Sequence, residues 1–185
     1  MDMWNDYKDI AWLFPNAEII VDKYHYVRQV YWALDNVRKK VQRKFPKEKR
    51  LHFKHCKKML WKEFDMLTDD NKITVRLMLD QHEDLYQAWM LKELFISYRK
   101  AETRAKAEKE MLEWLLTAEE INLPEFRDCV KAFHNWSKYI NNSVEYGYTN
   151  GFTEGINNKI KVIKRIAFGY RNFNHFRNRI LLNCA

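Results

Sequence analysis

Four Gly and three Pro in 185 residues leave this chain few places to turn. These are the residues that most often break helices, so their scarcity predicts long helices joined by short connections. The rest of the composition supplies a core for them. Hydrophobic residues make up 46% and aromatic residues 15%, enough for one domain or part of one. Charged residues at 31%, and the lack of an 18-residue apolar run, exclude a membrane-buried protein. The opening MDMWNDYKDIAW is acidic and too polar for a signal peptide, and leaves no room for a strand before it. Cys56, Cys129 and Cys184 are odd in number, widely spaced and without a CxxC, so they read as reduced thiols of a cytoplasmic protein.

In chain order, Tyr7 to Phe14 reads as a short helix stopped by Pro15. Ala17 to Val21 (AEIIV) is the one strand candidate, and an isolated strand needs hydrogen-bond partners from elsewhere. Tyr26 to Phe45 has helical periodicity, with Val27, Val30, Tyr31, Leu34, Val37 and Val41 on one side. Pro46 to Arg50 is a polar break, and His52 to Leu67 is expected to be helical. His52, His55 and Cys56 form an HxxHC that lacks a second ligand pair for zinc. Thr68-Asp69-Asp70 caps a helix to about Gln81, and Glu83 to Arg99 is another. Ala101 to Thr117 comes next, with Met111, Leu112, Leu115 and Leu116 expected to pack. Pro124 opens a further helix on which Phe126, Phe133, Trp136 and Tyr139 are expected to pack.

Charge is unevenly placed. Glu154 is the last acidic residue, and seven Lys and Arg come after it, against a formal net charge of +8 for the whole chain. Residues 1–154 together are therefore nearly neutral. All four glycines (Gly147, Gly151, Gly155, Gly169) lie around this segment, TNGFTEGINNKIKVIKR. At 100° per residue Ile156, Ile160, Ile163 and Ala167 share a side to bury. Glu154, Asn158, Lys161 and Arg165 share the other. Asn150 is the expected N-cap, which puts Glu154 near the positive end of the helix dipole. The spacing supports two readings. One is a solvated acid on an amphipathic helix. The other is a carboxylate that holds a divalent metal beside a phosphate backbone. A sequence pI near 9.3 points to an anionic partner, nucleic acid first, against simple solubility.

The run TNGFTEGINNKIKVIKRIAFGYRNFNHFRNRIL resembles the end of the catalytic domain of bacterial insertion-sequence transposases of the ISL-three family. PNAEIIVDKYHYVRQVYWALDNVR resembles an earlier part of the same domain. The resemblance covers essentially the whole chain. It implies a mainly α chain: a partial, truncated RNase H-like α/β core with a large helical insertion. Residues 1–45 would be the remnant of that core, 46–143 the insertion, and 144–185 the C-terminal core helices.

The resemblance also implies a DDE set of metal ligands. Glu154 in TEGINN matches the Glu and Asp2 in MDMWNDY the second Asp, as catalytic and metal-binding residues. Asp22 and His25 match a supporting Asp-x-x-His pair, although strand-end polar residues that hydrogen-bond locally would look the same. Asp22 ranks behind Asp2 as second Asp, because the family places that residue before the Pro-Asn turn. Lys159, Lys161, Lys164, Arg165 and Arg171 would contact DNA. The first Asp has no match, so the expectation is a bacterial, cytoplasmic transposase fragment that is inactive alone. Mg²⁺ or Mn²⁺ would be bound only in the complete domain. The implied partners are the DNA of insertion-sequence ends and target, together with self-association, and no membrane. The alternatives are a non-catalytic DNA-binding or regulatory helical module, and a helical protein-interaction domain.

Overall fold

The computed structural model describes residues 1–184; Ala185, the last residue of the expected C-terminal segment, lies outside them. Among the described residues the regular structure is helical throughout, and it divides into a unit of residues 1–147 and a unit from residue 148 onward. No helix among them is long and apolar enough to cross a membrane.

The first unit begins with α1 (Asn5–Ile10), which runs into a 3₁₀ turn, Ala11–Leu13, ahead of Pro15. The segment expected to be a strand, Ala17 to Val21, is extended but is not a strand. Its backbone is satisfied without a sheet. Met1 N donates to Ile20 O at 2.7 Å, and Asp22 N donates to Met1 O at 2.9 Å. Val21 N donates to the Tyr139 carbonyl at 3.1 Å, and Asn142 Nδ2 donates to Ile19 O at 2.8 Å. Buried backbone groups need a partner but not a ladder, and here a helix supplies part of it.

Asp22 starts α2 (Lys23–Gln42) by accepting Tyr24 N at 2.9 Å, an N-cap bond. Tyr26, Val30, Ala33, Leu34, Val37 and Val41 recur at helical spacing and are buried. The expected polar break is helix. Pro46 caps α3 (Lys47–His55), which is followed by α4 (Lys57–Trp61) and a 3₁₀ turn, Phe64–Met66. Thr68 precedes α5 (Asp69–Leu79), and α6 (Glu83–Arg99) has the expected bounds. The helix α7 (Arg104–Ile121) ends on Asn122 in the left-handed region, and a Pro124–Phe126 turn leads into α8 (Arg127–Tyr146). Gly147 closes α8 at φ +65, where a Cβ would be strained.

Four of these helices meet in an aromatic cluster. Tyr26 of α2, Phe95 of α6, Trp114 of α7 and Phe133 of α8 are at most 2% exposed. Trp114 and Phe133 have ring centroids 4.9 Å apart, and Phe95 sits 5.7 Å from Phe133 and 6.0 Å from Trp114. On α7 the buried positions are Ala107, Met111, Trp114, Leu115 and Ala118. Leu112 and Leu116, expected to pack, are 59% and 57% exposed. Trp114 sets which stripe faces inward, and those two leucines fall outside it.

One charged network is buried with the core. Asp35 lies 2.8 Å from Arg38 Nη2, 2.9 Å from Lys39 Nζ and 3.4 Å from Lys57 Nζ. Burial raises the Asp35 pKa, but the Lys39 and Arg38 hydrogen bonds and the surrounding charge outweigh it, and the net shift is downward. A lowered folded-state pKa means the stabilisation is present above the ordinary carboxylate range and is lost as pH falls through the lowered value. Asp35→Asn is therefore expected to cost about 2–3 kcal/mol at neutral pH, because it removes the carboxylate that neutralises the buried Arg38. The loss should shrink in acid, where the parent also forfeits the pair. Urea titrations at pH 7 and at successively lower pH check it.

The second unit holds α9 (Gly151–Ile166) and α10 (Phe173–Cys184). Ile163 is buried, and Ile156, Ile160 and Ala167 are half-buried, the four expected on one side. Phe168 and Gly169 turn the chain between the helices with positive φ. The Tyr170 and Phe176 rings pack at a tilt, with centroids 4.9 Å apart.

Candidate functional site

The expected site residues fall in two places, one in each unit. In the first unit, α2 begins where the residue 1–3 segment runs beside the extended Ala17 to Val21 segment. This brings Asp2 to His25: Nδ1 of His25 is 2.9 Å from Asp2 Oδ1, and the side chains are 23% and 55% exposed. The atoms are at ion-pair distance without the alignment of a conventional hydrogen bond. Asp2 Oδ1 also accepts Met3 N at 2.8 Å, which holds the carboxylate against its own backbone. His25 N donates to Asp22 O at 3.1 Å, in the first turn of α2. Asp22 Oδ1 is engaged in capping, as local bonding of the DKYH stretch would have it.

In the second unit Asn150 occupies the N-cap position of α9, and its carbonyl accepts Glu154 N at 2.9 Å. Glu154 lies in the first turn and is exposed. Asn158, Lys161 and Arg165 are exposed on the same side. Lys161, Lys164, Arg165 and Arg171 make no ion pair among the described residues. Lys159 differs: its Nζ donates to the Asn183 carbonyl and ties α9 to α10.

The chain is thus a helical protein that exposes carboxylates and unpaired cations. It belongs to the DDE transposases of the ISL3 type: the model of that family, described as Transposase, matches residues 1–180. Two transposases for insertion sequence element IS1557, from Mycobacterium tuberculosis strains CDC 1551 and H37Rv, are each 25% identical over 171 residues. That match covers 91% of this chain and 34% of each relative. A protein named ATP-dependent protease from Lactococcus lactis is 41% identical over 68 residues, which are 36% of this chain and 22% of that protein. The chain therefore spans about a third or less of the length of these relatives. No solved structure gives a significant match.

Asp2 and Glu154 offer the hard oxygen donors that Mg²⁺ takes. Among the described residues, no three His, Cys, Asp or Glu side chains converge to hold a metal ion. His52 does approach Cys56, at 3.6 Å from Nε2 to Sγ, but the HxxHC stretch gathers no third ligand. The donor chemistry of these two carboxylates fits a divalent cation.

Proposed function

We propose that this chain is the C-terminal part of a DDE transposase catalytic domain acting in DNA strand cleavage and transfer. The observation that carries the reading is Glu154, exposed in the first turn of α9 at the head of a stripe of cations, in a chain of this family. Asp2 and Glu154 are the carboxylates for Mg²⁺ or Mn²⁺. When bound, such ions polarise the phosphate and activate the attacking oxygen. His25 orients the Asp2 carboxylate, and Asp22 fixes the start of the helix that carries His25. Lys161, Lys164, Arg165 and Arg171 neutralise the DNA backbone. Lys159 does so less, because its ammonium is spent on Asn183. The insertion-sequence ends and the target are the substrates, and the chain joins a larger assembly to act.

The hydrogen bonds of Met1 support an RNase H-like origin for residues 1–45. Donation to Ile20 O and acceptance from Asp22 N flank Val21, the pattern of one parallel bridge. Asp2 then sits just past a strand-like contact, where the second carboxylate is expected. Strand cleavage requires a third carboxylate in addition to Asp2 and Glu154, so these residues alone are inactive.

The DNA part of the proposal predicts binding that weakens steeply with salt. Four neutralised phosphates give a slope of log K on log salt of at least about −3. Fluorescence anisotropy with a labelled 30-base-pair duplex between 50 and 200 mM salt measures it. Binding without salt dependence, or none at 50 mM, contradicts the proposal.

A further inference from the structure

The near-neutral sum of residues 1–154 conceals a basic block. Between Arg38 and Lys62 stand twelve Lys and Arg against one acid, Glu48. The fold sorts these cations. Arg38, Lys39 and Lys57 surround Asp35, and Lys40 reaches Asp84 and Glu125. Arg43, Lys47, Arg50, Lys54 and Lys58 are exposed and make no ion pair among the described residues.

Three of them form a row on α3. At 100° per residue, Lys47, Arg50 and Lys54 fall within an arc of about 60°, spread along about 11 Å of the axis. Phe53 lies on the inward side, 1% exposed, its carbonyl accepting Arg38 Nη1 at 3.3 Å. Lys54 suits the last turn of the helix, but the rest of the row does not stabilise it. Like charges at i, i+3 and i+4 repel, and cations in a first turn oppose the dipole. An anionic partner laid along the row offsets both costs. Duplex DNA carries a phosphate per 3.4 Å of axis on each strand, so about 11 Å presents roughly three phosphates of one strand to three cations.

The helix α2 sets the scale of the distance from α3 to Asp2. Phe53 of α3 meets Arg38, 13 residues from His25 along α2, and Arg43 at the C-cap stands 18 residues from it, so this surface lies about 20–27 Å along that axis from His25, or about six to eight base pairs of duplex. We infer that α3, with Arg43 and Lys58, is a second duplex-binding surface. It grips the phosphate backbone about six to eight base pairs from the strand held at Asp2. This rests on the reading of Asp2 as part of the cleavage centre.

The test uses the 185-residue chain, the labelled 30-base-pair duplex and two triple variants. K47A/R50A/K54A is expected to weaken binding on the order of 100-fold at 100 mM salt and to make the salt slope shallower by about 2.7. R127A/K131A/K138A removes three exposed cations of α8 and is expected to leave the slope unchanged. Matching far-UV circular dichroism confirms that both variants are folded. An unchanged slope in the α3 variant, with the parent binding duplex, overturns the inference and leaves the proposed function standing. Equal losses in both variants overturn it too, because net charge then explains the effect. A parent that binds no duplex at 50 mM salt removes the proposed function first. Loss of binding to phosphatidylserine vesicles but not to duplex, in the α3 variant, overturns it in favour of a membrane surface.

Discussion

Glu154→Gln, in an active transposase that contains this segment, is expected to lower Mg²⁺-dependent strand cleavage at least about 10³-fold. Duplex binding should stay within about twofold. The two halves rest on different physics. A carboxylate that holds a metal contributes several kcal/mol to the transition state, and about 4 kcal/mol corresponds to a thousandfold in rate. The amide keeps the shape and loses the charge. Binding rests on cations that the change does not touch, Lys161, Lys164, Arg165 and Arg171, all exposed. Folding should fall by less than about 1 kcal/mol, because Glu154 is exposed and contributes mainly to the helix dipole. Single-turnover cleavage of an end-containing duplex, beside anisotropy on the same duplex, separates the two effects.

Trp114→Ala is the second large expectation, and it concerns stability. The indole is 0% exposed, its Nε1 donates to the Leu91 carbonyl at 2.8 Å, and its ring meets Phe95 and Phe133. Truncation leaves a cavity where α6, α7 and α8 meet and removes the indole's bond to α6. A loss of about 4 kcal/mol is expected, within the usual range for a buried Trp. Out of a typical domain stability of roughly 5–15 kcal/mol, that leaves the first unit marginal. Trp114→Phe keeps most of the volume and should cost about half as much. Equilibrium urea unfolding followed by circular dichroism measures both. A loss under about 1 kcal/mol for the alanine variant would mean that this cluster does not hold the helices together.

Much of this architecture was legible from residue spacing. The bounds of α6, the inward side of α9 and the packing of Phe126, Phe133 and Trp136 come from a 3.6-residue period and a few caps. Three features were not. Ala17 to Val21 has the composition of a strand, but strand pairing is a tertiary event, and here Met1, Tyr139 and Asn142 take the partner's place. Leu112 and Leu116 are apolar yet exposed, because the bulk of Trp114 decides which side of α7 turns inward. Lys47 to Arg50 contains Pro46's neighbours and four charges, which disguised the start of a helix that Pro favours at its N-terminus.

The candidate site is marked in the sequence in a different way. Glu154 is marked by the run of cations on its C-terminal side, which contains no other acid. Asp2 carries no local signal, and its place beside His25 depends on a contact across 23 residues. The free cations of α3 were hidden by summing charge over too long a stretch. A 25-residue window, with the Asp35 partners set apart, brings them out.

Glu154→Cys offers the most direct measurement of metal ligation. A thiolate binds Mg²⁺ poorly and softer divalent ions such as Mn²⁺ better. In the active protein, cleavage by this variant should be lost in Mg²⁺ and recovered in part in Mn²⁺, with duplex binding unchanged in both. Cleavage in Mg²⁺ equal to the parent's would contradict a role for Glu154 at the metal.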